Sequence, residues 1–322
     1  MPLVVDFHAH FVAPEVMEFA YKHSRYAQMH AQGGAPQAAV PAPQMERMLN
    51  PALRLKEMDE MGIDIQVISP SILQQCTYFA EPEVALKYER MSNDHAATLV
   101  AQHPDRLVGL GSLPMQDTAL AVQELERVVR DLKLHGVVIG SEVNGLQLGD
   151  PVLRPFWKKV AELGATVFIH PQGNPDPKMV KHKQMISLGQ PLEEAFAMSS
   201  LVYEGVMDEC PGVKIAIAHG GGYLPFYTGR HDHLYRNGLA GGHLKGDFSS
   251  YLPTFHYDTV LFNVDMLEYL AVRVPVGNIM LATDFPFGEK NPVGFVKKAR
   301  IGQAEQDAIL GANAAAFLGL KI

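Results

Sequence analysis

Two histidines one residue apart, His8 and His10, close the first apolar run of the chain, Leu3-Val4-Val5-Asp6-Phe7. Side chains alternate in direction along a strand, so this pair points the same way and offers two neighbouring imidazoles. Two imidazoles are half of a metal site. The same kind of residue recurs behind other apolar, β-branched runs: His170 behind Thr166–Ile169, His219 behind Lys214–Ala218, and Asp284 behind Asn278–Ala282. Three neutral imidazoles and one carboxylate suit a borderline divalent ion such as Zn²⁺, with Mn²⁺ as the other acceptable ion. They leave positions free for water or substrate. The predicted ligands are therefore His8, His10, His170 and Asp284. His219 reads either as a further ligand or as a general acid/base. The second role is favoured because four other groups already fill most of the shell.

The elements that must bring these residues together follow from periodicity. Eight strand candidates are readable: Leu3–Phe7, Ile63–Ile68, Leu107–Leu113, Gly136–Ile139, Thr166–Ile169, Lys214–Ala218, Asp258–Phe262 and Asn278–Ala282. Between most of them lie stretches with helical spacing, such as Pro51–Met61, Glu83–Gln102 and Leu120–Leu134. Eight strands alternating with helices predict a distorted (β/α)8 TIM barrel, with the chemistry at the carboxyl ends of the strands. An open doubly wound sheet is the weaker alternative, because no Gly-x-Gly-x-x-Gly follows the first strand. Nothing in the 322 residues suggests a linker or an internal repeat, so residues 1–322 are expected to form one barrel domain with a loop insertion at about 11–50. Residues 229–257 are expected as a second long loop.

Composition limits the function. Lys and Arg number 27 against 35 Asp and Glu, a formal net charge of -8. Such a balance disfavours nucleic acid as a partner. A small anionic substrate in a local basic pocket remains compatible with it. No apolar run reaches the length of a membrane span, and no secretory leader pattern is seen at the N-terminus. Cys76 and Cys210 stand far apart and make no disulfide framework, so a cytoplasmic protein is expected.

Taken in order along the chain, the segments Asp6-Phe7-His8-Ala9-His10, Arg54–Asp59, Arg106–Gln116, Phe168-Ile169-His170-Pro171, Ala218-His219-Gly220-Gly221-Gly222, Thr283-Asp284-Phe285-Pro286-Phe287 and Asn313–Leu320 resemble the amidohydrolase superfamily. Within it they resemble the branch typified by 2-amino-3-carboxymuconate-6-semialdehyde decarboxylase. The resemblance implies Zn²⁺ on His8, His10, His170 and Asp284, with His219 as acid/base. It implies that Arg230 binds a substrate carboxylate, often across a homodimer interface. It implies a second carboxylate-binding Arg after strand one, for which Arg47 is the nearest candidate and Arg25 or Arg54 the substitutes. Arg54 itself reads as a helix-surface charge. No Trp follows His170 in that loop, so a substrate-stacking ring is either absent or supplied by Phe11, Tyr78, Tyr223 or Phe287. The implied activity is metal-dependent, non-oxidative decarboxylation of a small unsaturated or aromatic acid. A hydrolase of an amide or lactone on the same scaffold is the alternative, since the same ligand set serves both.

Overall fold

The computed structural model describes residues 3–23, 42–173 and 176–321. Eight strands form one parallel sheet in sequential order: β1 (Val5–Phe11), β2 (Ile65–Pro70), β3 (Leu107–Gly111), β4 (Gly136–Ile139), β5 (Thr166–Ile169), β6 (Lys214–Ile217), β7 (Phe255–Asp258) and β8 (Ile279–Met280). The two outer strands meet through Phe7 N–H donating to Leu281 O at 2.9 Å and His10 N–H donating to Phe285 O at 2.8 Å. The result is the predicted (β/α)8 barrel, irregular where the very short β8 meets β1.

The strands are apolar on both faces because each face has a core to fill. Val5, Phe7, Val67, Val108, Val138, Phe168 and Ala216 fill the barrel interior. Ile68, Val137, Ile139, Val167, Ile169, Ile215 and Ile217 pack outward under the helices. The C-terminal helix Asn313–Leu318 sends Phe317 into the interior core, where its ring lies 5.7 Å from that of Phe7.

Four expectations are corrected. Strand β7 is Phe255–Asp258 and not Asp258–Phe262. Phe255 and Tyr257 join the outer core, while His256 faces Phe317 and Asp258 faces His8. A search for unbroken apolar runs passes over a strand whose inward residues are polar. Strand β1 runs on to Phe11, so both histidines stand inside it. The supposed loop 229–257 begins inside a helix, Leu224–Arg236, which carries Arg230, His231 and His233. Among the described residues of the insertion after β1, a turn at Pro14–Val16 and helices Met17–His23 and Ala42–Leu49 stand where loop was expected, and Arg25 lies outside the described residues.

Candidate active site

The register of β1 against β2 slips by one residue between Asp6 and Ala9. A bulge of this kind turns one extra side chain to the same face. Phe7 and His8 consequently both lie against Phe168, with ring centroids 5.3 and 4.8 Å away. His10 follows with the ordinary alternation, and its Nε2 stands 3.1 Å from Nε2 of His8. Oδ1 of Asp284 is 3.2 Å from His10 Nε2 and 3.5 Å from His8 Nε2. With His170 from the end of β5, the four groups offer one ligand atom each, all within 4.8 Å of one another.

Their chemistry fits a divalent cation. Burial holds His10 below the ordinary imidazole range against the pull of Asp284, and holds His170 well below it, so both lone pairs are available. Burial works against ionisation of Asp284, but the facing imidazoles outweigh it and keep the carboxyl low. Nitrogens and carboxylate oxygens crowd one point there, as a His/Asp metal site requires.

A second layer aims these four groups. Nδ1 of His8 is 2.7 Å from the buried Asp258 carboxylate, which also accepts from Gly220 N–H at 3.1 Å. With Nδ1–H given to Asp258, Nε2 of His8 is left as the donor to a metal. Nδ1 of His170 is 3.0 Å from the amide of Gln75. Asp6 accepts from Thr283 N–H at 2.9 Å and Thr283 Oγ1 at 2.6 Å, and so ties β1 to the turn that presents Asp284. Asp284 itself sits at φ 54°, a strained conformation for a non-glycine residue.

His219 stands outside the quartet, its ring 5.5 Å from that of His8 and 5.6 Å from that of His170. Its Nδ1 is 2.5 Å from Oε1 of Glu194, a fully buried carboxylate on the helix Gln190–Tyr203. Burial alone would lower His219, yet Glu194, Asp258 and Asp284 surround it and raise it to about 9. Burial in turn lifts Glu194 to about 7 against the pull of the imidazolium. The surrounding carboxyl groups thus favour the imidazolium over the neutral ring. The last of the three glycines after His219 lets this pair form. A Cβ on Gly222 would lie 2.1 Å from Pro191 O and 2.8 Å from Glu194 Oε2, so only glycine allows that helix so close.

His219 and Asp284 open into a cavity of about 880 Å³ walled by Ile186, Pro191, Tyr223, Leu261, Met266 and Phe287 among others, with no Lys or Arg in its lining among the described residues. A larger hollow, about 1210 Å³, opens beside Leu3 and Ile65 at the opposite end of the strands and contains none of the histidines.

The amidohydrolase family model matches residues 5–320. The chain belongs to the amidohydrolase family. It is 35% identical over 277 residues to a 2-amino-3-carboxymuconate-6-semialdehyde decarboxylase of Dictyostelium discoideum, covering 84% of this chain and 77% of the relative. It superposes with a TM-score of 0.90 and 26% identity on the crystal structure of a 5-carboxyvanillate decarboxylase from Sphingomonas paucimobilis, with 100% of both chains covered. A dihydroxybenzoic acid decarboxylase from a Polaromonas species, whose structure holds manganese and the inhibitor 2-nitroresorcinol, gives a TM-score of 0.84 at 25% identity, covering 99% of this chain and 98% of that one.

Set in this amidohydrolase barrel, the predicted residues separate. His8, His10, His170, Asp284 and His219 meet at one rim. Arg230 does not line the cavity: it is exposed beside Phe226 and Tyr227. Arg47 is engaged by Glu57 at 2.8 Å and lines another hollow behind the Asp284 turn, so the substrate role expected of it finds no support within this chain. Arg54 is not a surface charge. It is buried, donates to Gln66 Oε1 at 2.6 Å and to the carbonyl of His10, and lies over the Phe285 ring. Among the ring candidates, Tyr223 and Phe287 line the cavity. Phe11 stacks on His95 instead, and Tyr78 accepts from Gly140 N–H. Asp258, Glu194 and Gln75 were missed. Only Asp258 carried a signal, being the polar residue that opened the misplaced seventh strand.

Proposed function

We propose that this chain is a metal-dependent, non-oxidative decarboxylase of a small aromatic or unsaturated carboxylic acid. The observation that carries the reading is the His219–Glu194 pair: an imidazole, fixed through Nδ1 by a buried carboxylate, shares an apolar cavity with the carboxylate of the His/Asp metal site. His8, His10, His170 and Asp284 would hold the ion, Zn²⁺ by the number of imidazoles or Mn²⁺ as in the Polaromonas enzyme. When bound, the ion supplies Lewis acidity toward a carboxylate or neighbouring hydroxyl oxygen of the substrate.

The protein's own part is proton delivery and exclusion of water. His219 Nε2 gives its proton to the carbon that bears the carboxylate, breaking conjugation there. The bond to the carboxylate then cleaves, its electron pair returns to the ring or diene, and CO2 leaves. The imidazole regains a proton from solvent. Glu194 keeps the imidazole oriented and charged, and Tyr223, Leu261 and Phe287 offer apolar surface to a planar substrate. Arg230 belongs to the proposal as a carboxylate-binding group between copies, because its exposed position outside this chain's own cavity leaves it open to a neighbouring site. A homodimer is therefore part of the proposal.

A turnover screen with hydroxybenzoates and carboxymuconates, monitoring CO2, tests the reading. His219→Gln should lower kcat by about 10²–10⁴ while metal content stays the same. Net water uptake without CO2 would turn the assignment to a hydrolase, and retention of full turnover in the variant would remove His219 from the reaction.

A further inference from the structure

We infer that Gln75 is a positioning residue for the metal site, its side-chain carbonyl accepting the Nδ1 proton of His170. The inference rests on the assignment of His170 as a ligand, and concerns how this chain makes it one.

A neutral imidazole that gives Nε2 to a metal must carry its proton on Nδ1, and a buried N–H needs an acceptor. His8 has Asp258 for this, at 2.7 Å, and His10 has Ser69 Oγ at 3.4 Å. The side-chain group on Nδ1 of His170 is the Gln75 amide, with Nε2 at 3.0 Å. That amide is wholly buried, and its Oε1 has no partner among the described residues. An amide N–H pointed at Nδ1 requires the proton on Nε2, where it would block ligation. A half-turn of the amide exchanges O for N. It places the carbonyl against Nδ1–H and gives Oε1 the partner it lacks. It gives up the longer contact from Nε2 to His170 O, at 3.3 Å, and turns the amide N–H2 to the side where Oε1 now meets no partner among the described residues, a cost that ligation through Nε2 of His170 must outweigh. Amide O and N are alike in shape, so the turn needs no change in packing. Gln75 is held for the task by its backbone N–H, which donates to Ser71 O at 2.9 Å just beyond β2.

The choice of an amide has a consequence. Asp258 fixes His8 with a charge, whereas Gln75 fixes His170 without one, so the site gains an acceptor and no additional negative charge.

The test compares Gln75→Glu and Gln75→Leu in the full chain, loaded with Zn²⁺ and titrated against a chromophoric chelator. Leu cannot accept, so Gln75→Leu should weaken Zn²⁺ binding about 10- to 100-fold. Gln75→Glu, which accepts only, should bind at least as tightly as the parent. In the unmodified Zn²⁺-loaded protein, 15N NMR of His170 should show the proton on Nδ1, a readout that does not depend on either variant folding. Equal weakening in both variants, unchanged affinity in Gln75→Leu, or an unprotonated Nδ1 in the loaded protein would each overturn the inference while leaving His170 a ligand. Failure of the parent to bind Zn²⁺ or Mn²⁺ at all would overturn both.

Discussion

Two buried polar clusters sit within one barrel and are closed in opposite ways. Under the outer helices, Glu89 accepts from Thr77 Oγ1 at 2.6 Å and from Ser112 Oγ. Its neighbour Glu124 accepts from Asn93 at 2.9 Å, Arg90 at 2.8 Å and Arg127 at 2.9 Å. Each carboxylate oxygen has its donor and the arginines supply the charge, so that cluster is complete within the protein. At the rim, ring nitrogens of His8 and His10 and an oxygen of Asp284 face each other at 3.1–3.5 Å, and among the described residues no lysine or arginine lines the cavity there. Both clusters contain buried carboxylates. Only the rim cluster has more acceptors than donors, and a cation is what such an excess calls for.

The largest expected effect comes from removing the acceptor that carries the charge. Asp284→Ala should reduce metal content from stoichiometric to trace and CO2 release to the rate of buffer, measured by elemental analysis and a coupled CO2 assay. A variant that keeps its metal would erase the contrast between the clusters. Glu124→Ala does the reverse. It strands the donors of Asn93, Arg90 and Arg127 and should cost about 2–3 kcal/mol of stability in urea melts, with metal content untouched. The two arginines are partly exposed and can turn to water, which keeps the cost at that level.

A finer effect should separate the clusters by pH. Burial lifts Glu89 from the usual carboxyl range to about 7, against the hydrogen bonds from Ser112 and Thr77. The folded state then binds a proton that the unfolded chain releases near 4.5. Stability from this group is full below about 4.5 and declines as pH rises toward 7, by up to about 3 kcal/mol. Glu89→Gln should flatten that decline in urea midpoints taken at pH 5 and pH 7.5. A decline of the same size in the variant would assign it to another group.

How far the sequence reached differs between the same two regions. The Glu124–Arg127 spacing marked a helix face, but its burial against the helix Pro82–Gln102 was not readable, because partners 34 residues apart meet only through packing. The rim was more legible. Strand ends in a parallel barrel converge by topology, so His8, His10, His170, His219 and Asp284 could be placed together from local patterns alone.

What the sequence alone determined is the barrel and the identity of the groups at its carboxyl rim, since both follow from period, order and residue type. The tertiary structure decided which groups aim them. Asp258, Glu194 and Gln75 act from 250, 25 and 95 residues away from the histidines they touch. It also moved Arg54 from surface to core and withdrew Arg47 from the cavity. A local pattern fixes which way a side chain leaves its own strand. Which partner it then meets depends on distances set by helices packed from elsewhere in the chain, and nothing local encodes those distances.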